Sequence, residues 1–139
     1  MARASIGREL YFEAKDEVGS LGFITIKLKD AGINIIHLSA YAVGKTAFFQ
    51  MVVSDVEKAK KTLSGDIKNV SVRDVLIVEF ENKIGTLSDV AKLLGQNSVN
   101  MSECYGTSSD GFKIVGVFVT DDNARALKLI NAESPRANL

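Results

Sequence analysis

Cysteine is almost absent from this chain of 139 residues, and Cys104 is the only one. A single cysteine excludes an intrachain disulfide and indicates a reducing compartment. Histidine is equally scarce, with His37 alone. Because structural and catalytic metal sites are built from paired cysteines or histidine clusters, the sequence predicts no metal site.

The chain also lacks an excess of charge, since 17 basic residues balance 17 acidic ones. A general nucleic-acid binder needs a basic surface, so we expect no nucleic-acid partner. No run approaches the ~20 apolar residues of a membrane helix, and residues 1–7 hold no apolar core of signal-peptide length. We therefore expect a cytoplasmic protein with no membrane partner.

Catalytic signatures are missing as well. The sequence has no phosphate-binding glycine loop of the P-loop or dinucleotide kind. His37 has no second-copy counterpart, because Glu103 stands at that position. Cys104 and His37 would make a nucleophile and its base only if the fold brought them together, and nothing in the sequence fixes that geometry. We predict no catalytic residue, no cofactor and no enzymatic activity.

What the sequence does contain is one pattern used twice, 66 residues apart. Gly19 and Gly85 each lie between a strand-like run and a helical run, and Asn34 and Asn100 follow at the same distance. The same spacing joins Leu21 to Leu87, Leu28 to Leu94, Glu13 to Glu79 and Asp55 to Asp121. The sequence thus predicts two copies of one supersecondary unit, related without a gap.

The order of elements in the first copy follows from hydrophobic periodicity. Residues 8–15 alternate as a strand does, and Leu21, Ile24 and Leu28 share one face of a helix that ends at Gly32. Two strands, 33–43 and 46–53, flank a turn at Gly44. A second helix follows Asp55, and residues 67–72 form a short last strand.

The second copy repeats this order as far as its closing helix. We expect strands through 76–80, 99–108 and 112–120, a helix through 87–94 and a helix over 121–130. After that helix the chain has little room for a good last strand. We expect a loose tail there.

Strand-helix-strand-strand-helix-strand order places both helices on one face of an antiparallel sheet. The predicted fold class is therefore α+β, with two ferredoxin-like βαββαβ units in tandem. The expected domains are residues 1–73 and 74–139. Units of about 65 residues are marginal alone, and the return strands are apolar on both faces. We therefore expect a homodimer.

The duplicated glycine turns are candidates for ligand binding. A glycine at a strand-to-helix junction lets a ligand approach the free N–H groups of a helix start, which favour an anion such as a carboxylate. Alternatively, the glycine serves only tight turning. Asn34 and Asn100 are unusual in a strand; they either bond the preceding turn or face a ligand. Both alternatives stay open.

Together these features resemble the ACT domain, a regulatory module attached to many enzymes of amino-acid metabolism. The resemblance covers residues 8–130, twice over. It is carried by the turns Asp16–Leu21 and Asn82–Leu87, the strand starts Ile-Asn-Ile and Val-Asn-Met, and the aspartates at 55 and 121. The family often has proline before the glycine, where this chain has Val18 and Ile84, so we expect a less rigid loop.

The resemblance implies a small, free-standing tandem ACT protein that binds a small amino acid at an interface between ACT domains. Such a protein acts through a partner enzyme or regulator of amino-acid metabolism. By resemblance, the ligand-binding residues are Asp16, Val18, Gly19, Ser20, Leu21 and Asn34 in the first copy, and Asn82, Ile84, Gly85, Thr86, Leu87 and Asn100 in the second.

Two other functions remain open. An ACT pair that has lost its ligand would serve only assembly. An RNA-binding module of the same topology is the other alternative, because residues 110–117 faintly resemble its base-stacking strand. Asp110 replaces the basic first residue of that motif, however, and the zero net charge disfavours RNA.

Overall fold

The computed structural model describes residues 2–133, which form six strands and four helices. Their order is β1 (Ala2–Lys15), α1 (Ser20–Asp30), β2 (Ile35–Val43), β3 (Thr46–Val53), α2 (Val56–Ser64), β4 (Ser71–Glu81), α3 (Thr86–Gln96), β5 (Met101–Thr107), β6 (Lys113–Thr120) and α4 (Asn123–Glu133). The strands follow the order β2-β3-β1-β4-β6-β5 in an antiparallel sheet. The predicted α+β class and the two tandem βαββαβ units are confirmed.

Residues 8–73 make one compact unit with its own apolar core. Helix α1 buries Ile24 and Leu28, and α2 buries Ala59 and Leu63. Both helices pack on the same sheet face, whose core residues are Leu10, Phe12, Ala47, Phe49, Met51 and Val53. The helices therefore lie on one side of the sheet, as their single buried faces require.

The other compact unit combines residues 74–133 with residues 2–7. Its core contains Val90 and Leu94 of α3 and Ala126 and Ile130 of α4. Ala4 is buried in the same core. The Asn131 side chain accepts a hydrogen bond from the Ala4 N–H at 2.8 Å and donates one to the Ala4 carbonyl at 3.0 Å. The N-terminal half of β1 thus supplies the last strand that the sequence of this copy lacks.

Several predicted element bounds were wrong. Strand β1 begins at Ala2 rather than Arg8, and β4 starts at Ser71 and runs without interruption through the expected junction at residues 73 and 74. Helix α4 continues to Glu133, past the predicted end at Ile130. The rest of the expected loose tail, residues 134–139, lies outside the described residues. The division into domains 1–73 and 74–139 stays a prediction.

The repeat contains a one-residue insertion, which corrects the expectation of a gapless 66-residue spacing. Leu10 pairs with Met51, whereas its counterpart Leu76 pairs with Phe118, 67 residues after Met51. Tyr41 pairs with Phe48, and Thr107 pairs with Val115. The second pair lies 66 and 67 residues after the first, so the extra residue lies in the hairpin between Thr107 and Val115.

The insertion also corrects the assignment of the aspartate before the second helix. Asp55 caps α2 by accepting the Lys58 N–H at 3.1 Å, and Asp122 accepts the Arg125 N–H at 3.0 Å at the start of α4. Asp122, not Asp121, is therefore the counterpart of Asp55. A constant spacing of 66 could not show this, because Asp121 and Asp122 are adjacent aspartates.

Candidate functional site

Gly19 and Gly85 occupy the same position in the two units, immediately before α1 and α3. Their φ angles are 89° and 93°, which lie in the left-handed region that glycine adopts without strain. A Cβ added to either glycine would meet no atom within 4 Å. The requirement for glycine is therefore conformational in this chain, and open space lies on its outer side.

The hydroxyl groups of Ser20 and Thr86 brace the two turns. Ser20 donates to the Lys15 carbonyl at 2.9 Å, and Thr86 donates to the Glu81 carbonyl at 2.7 Å. Their own N–H groups bond Glu17 and Lys83 carbonyls at 3.2 and 3.3 Å. The first helical i to i−4 bonds come from Phe23 and Asp89. Hence the N–H groups at positions 21, 22, 87 and 88 have no partner in the helix, one residue later than expected.

Apolar side chains stand out from both turns. Val18 and Ile84 have relative exposures of 105% and 107%, and Leu21 and Leu87 are about half exposed. Fully exposed aliphatic side chains gain nothing from the hydrophobic effect in this chain. Their presence at equivalent positions of both copies is typical of a surface that another molecule covers.

Asp16 and Asn82 join each turn to the tip of the neighbouring hairpin. The Asp16 N–H donates to the Lys45 carbonyl at 2.9 Å. The Asn82 N–H donates to the Phe112 carbonyl at 2.8 Å, and its side-chain amide donates to the Gly111 carbonyl at 3.0 Å. We call each set of glycine turn, helix start and hairpin tip the turn end of its unit.

A cavity adjoins each turn end. In the unit of residues 8–73 its volume is about 450 Å³, and Val18, Gly19 and Ser20 form part of its wall. The cavity of the other unit has about 500 Å³ and reaches Thr86 and Asp89. Both volumes lie in the range of small-ligand sites. Polar rims differ: Glu17, Asp66 and Lys68 in the first cavity, Lys92, Gln96 and Glu133 in the second.

Asn34 and Asn100 lie just before β2 and β5 rather than inside strands. The Asn34 N–H donates to the Ser54 hydroxyl at 2.9 Å, and the Asn100 N–H donates to the Asp121 carboxylate at 3.0 Å. Return bonds run from the Ser54 and Asp121 N–H groups to the asparagine carbonyls. Within residues 2–133 neither asparagine amide makes a side-chain hydrogen bond, so neither amide bonds the preceding helix turn.

The structure does not bring each glycine turn to the asparagine of its own copy. Gly19 precedes α1 and Asn34 follows it, and 11 helical residues span about 16 Å. The same separation holds for Gly85 and Asn100 across α3. Each unit therefore has a turn end and, at the other end of its first helix, an asparagine end. The twelve predicted ligand residues stay a prediction.

The sequence analysis missed Lys45, Phe112 and Asp110 at the turn ends. Asp110 accepts the N–H groups of Phe112 and Lys113 at 2.8 and 3.0 Å. These bonds, with Lys113 the stronger contributor, hold the pKa of the Asp110 carboxyl below its ordinary value. The Ser-Asp-Gly run does signal a turn, but only the pairing of β5 with β6 shows that Phe112 reaches the Asn82 turn.

The two residues considered for catalysis carry no chemical signature of it. Burial raises the pKa of the Cys104 thiol, which lowers the fraction of reactive thiolate. Burial also lowers the pKa of His37. Among residues 2–133, no group of three or more His, Cys, Asp or Glu side chains is placed to hold a metal ion. No helix of this part of the chain is long and apolar enough to span a membrane.

Solved structures share this fold. Protein BT0572 from Bacteroides thetaiotaomicron superposes with a TM-score of 0.79 at 20% identity, over 94% of this chain and 90% of that one. The ligand-free regulatory subunit of aspartate kinase from Thermus thermophilus gives a TM-score of 0.67 at 11% identity, over 95% and 96% of the chains. A structure of aspartokinase alpha and beta subunits gives 0.67 at 14% identity, over 94% and 95%.

Sequence comparison gives the family. A search of curated proteins finds no match. The sequence model of the family described as ACT domain pair, however, matches residues 8–134, which is most of the chain. Together with the two βαββαβ units, this match shows that the chain belongs to the ACT domain pair family.

Proposed function

We propose that this protein is a non-catalytic regulatory module that binds a small amino acid at an interface between ACT units. It acts through a partner enzyme or regulator of amino-acid metabolism, in the cytoplasm. The observation that carries the proposal is the pair of equivalent helix starts, each with a left-handed glycine and a fully exposed aliphatic neighbour. The likeness to a protein described as a regulatory subunit of aspartate kinase supports it.

The ligand carboxylate binds the free N–H groups after each glycine. Those groups belong to positions 21 and 22 in α1 and 87 and 88 in α3, where the helix dipole favours negative charge. The unbonded amide of Asn34 or Asn100 comes from the asparagine end of another ACT unit. This arrangement follows from the length of the first helix, which separates turn and asparagine within one unit.

A panel of the amino acids in a thermal-shift assay tests the proposal. Ligand at a hundred times its dissociation constant stabilises the fold by about 2.7 kcal/mol, which gives a visible rise in Tm. If no amino acid at millimolar concentration shifts the melt, amino-acid binding is refuted.

Substitutions then locate the site. Gly85→Asn keeps a residue type that tolerates positive φ but places a side chain over the approach to the helix start, so it should weaken binding there. Gly44→Asn is the matched control, because Gly44 also has a positive φ of 61° with open space beside it. Equal ligand responses of both variants would contradict the proposed location.

Assembly without a ligand is the second candidate function, and exposed apolar residues of residues 8–73 favour it. Phe23 and Ile26 on α1 and Ile36, Tyr41 and Val43 on β2 are between 49% and 64% exposed. Such residues on a helix and a neighbouring strand fit an interface between two copies of the chain.

Sedimentation at micromolar concentration tests this assembly. The homodimer should sediment with twice the chain mass. Ile26→Lys should favour the monomer, because a charge would enter the contact, whereas exchanging the polar counterpart with Lys92→Ile should not. A wild-type monomer would rule out the homodimer.

A further inference from the structure

The two turn ends differ most at the tip of the hairpin. Lys45 and Phe112 are structural counterparts, because the carbonyl of each accepts the N–H of the residue that opens the turn, Asp16 or Asn82. A constant spacing of 66 would have paired Lys45 with Gly111 instead. The inserted residue therefore places an aromatic ring where the first unit has an ammonium group.

The Phe112 side chain is exposed although its backbone is held on both sides. Its N–H donates to the Asp110 carboxylate at 2.8 Å, and its carbonyl accepts from Asn82 at 2.8 Å. Ser108 closes the loop by accepting the Gly111 N–H at 2.9 Å. The side chain nevertheless stays 78% exposed. The loop presents a fixed aromatic ring beside the Asn82 turn.

Charge separates the two turn ends in the same direction. The first has Asp16, Glu17 and Lys45. In the second, Asn82 is neutral, and the Lys83 ammonium pairs with the Glu81 carboxylate at 2.6 Å. The exposed aliphatic residues match, with Val18 and Leu21 in positions equivalent to those of Ile84 and Leu87. The chemical difference thus concentrates at the residue that opens the turn and at the hairpin tip.

We infer that Phe112 is a specificity-determining residue, and that the second turn end selects an amino acid with an aromatic or large aliphatic side chain. This inference rests on the proposed function. The ligand side chain packs on the Phe112 ring and beside Ile84, and these surfaces leave water together. The first turn end, with Lys45 and Asp16 at the matching positions, does not select this class.

Calorimetric titration of the full chain tests this selectivity, with L-phenylalanine and L-leucine as apolar probes and L-aspartate and L-lysine as charged ones. Phe112→Lys, which copies the first unit, should weaken the apolar probes roughly tenfold, the effect of a contact worth about 1.4 kcal/mol. Phe112→Tyr keeps the ring and should stay within about twofold of wild type. Lys45→Phe should add affinity for the apolar probes at the first unit.

The outcomes distinguish this inference from the function on which it rests. If wild type binds no amino acid, both fall. If wild type binds amino acids but Phe112→Lys keeps the same order of affinities, amino-acid binding stands and the role of Phe112 is refuted. That role is also refuted if Phe112→Lys changes only the sedimentation of the protein, because Phe112 would then be a contact between copies.

Discussion

The first helices of the two units bury the same kind of face and expose opposite chemistry. Helix α1 buries Ile24 and Leu28, and α3 buries Val90 and Leu94 at the equivalent positions. On the exposed side, α1 carries Phe23 and Ile26 where α3 carries Asp89 and Lys92. Inward residues are fixed by the fold that the copies share, so the outward residues reflect what each copy contacts.

Core truncation should give the largest effect, and it compares the two units directly. Phe118 and Met51 are counterparts, and both are fully buried. Phe118→Ala should cost about 3–5 kcal/mol of unfolding free energy and Met51→Ala about 2–5 kcal/mol, measured by urea denaturation. Phe112→Ala, on an exposed side chain, is the control and should stay within about 0.5 kcal/mol. A Phe118→Ala loss no larger than the control would contradict the core assignment.

A buried ion pair distinguishes the first unit from the second. Glu9 is fully buried, and the Arg73 guanidinium contacts its carboxylate at 2.7 Å and stacks on Tyr11 at 4.3 Å. Val75 stands 66 residues after Glu9, in the second copy. Arg73→Met should cost about 3 kcal/mol, because a buried carboxylate loses its cation.

The control for Arg73→Met is Lys113→Met, which removes an exposed pair with Glu79. It should leave the denaturation midpoint close to that of wild type, since surface ion pairs contribute little. Equal losses in the two variants would mean that the Glu9 carboxylate does not depend on Arg73.

The glycine turns should respond alike in both units. Gly19→Ala and Gly85→Ala should each lose about 1–2 kcal/mol, because a Cβ disfavours positive φ although it meets no neighbouring atom. Gly22→Ala is the comparison, since Gly22 lies inside α1, where alanine is the better helix former. Thermal denaturation that shows Gly19→Ala as stable as Gly22→Ala would exclude a left-handed turn there.

Helix caps give the smallest effect and test the inserted residue. Asp122→Ala should match Asp55→Ala at about 1 kcal/mol, the usual value of a lost N-cap. Asp121→Ala instead removes the acceptor of the Asn100 N–H and should match Ser54→Ala. If Asp121→Ala, and not Asp122→Ala, reproduced the Asp55 variant in denaturation, the assigned insertion would be wrong.

The repeated pattern was enough to predict the fold, because the first helices and the strands before them keep a constant spacing. It could not place the insertion, since adjacent aspartates at 121 and 122 satisfy either alignment. It also missed the last strand of the second unit. That strand comes from residues 2–7, and no local pattern near residue 130 indicates this long-range pairing.

The candidate site was predicted as residue types but not as geometry. Glycine at a strand-to-helix junction carries its own signal, because only φ near 90° continues the chain into the helix. Phe112 carries none, since an exposed phenylalanine in a loop has no period. Its closeness to Asn82 depends on the register of β6 against β4.

The most direct test of the account follows the backbone amides by NMR during titration with the amino acid that gives the largest thermal shift. The account predicts that the perturbed amides cluster at positions 19–22 and 85–88, with further changes at Asn34 and Asn100. Amide changes confined to other parts of the chain, with both helix starts unperturbed at saturation, would contradict amino-acid binding at the turn ends.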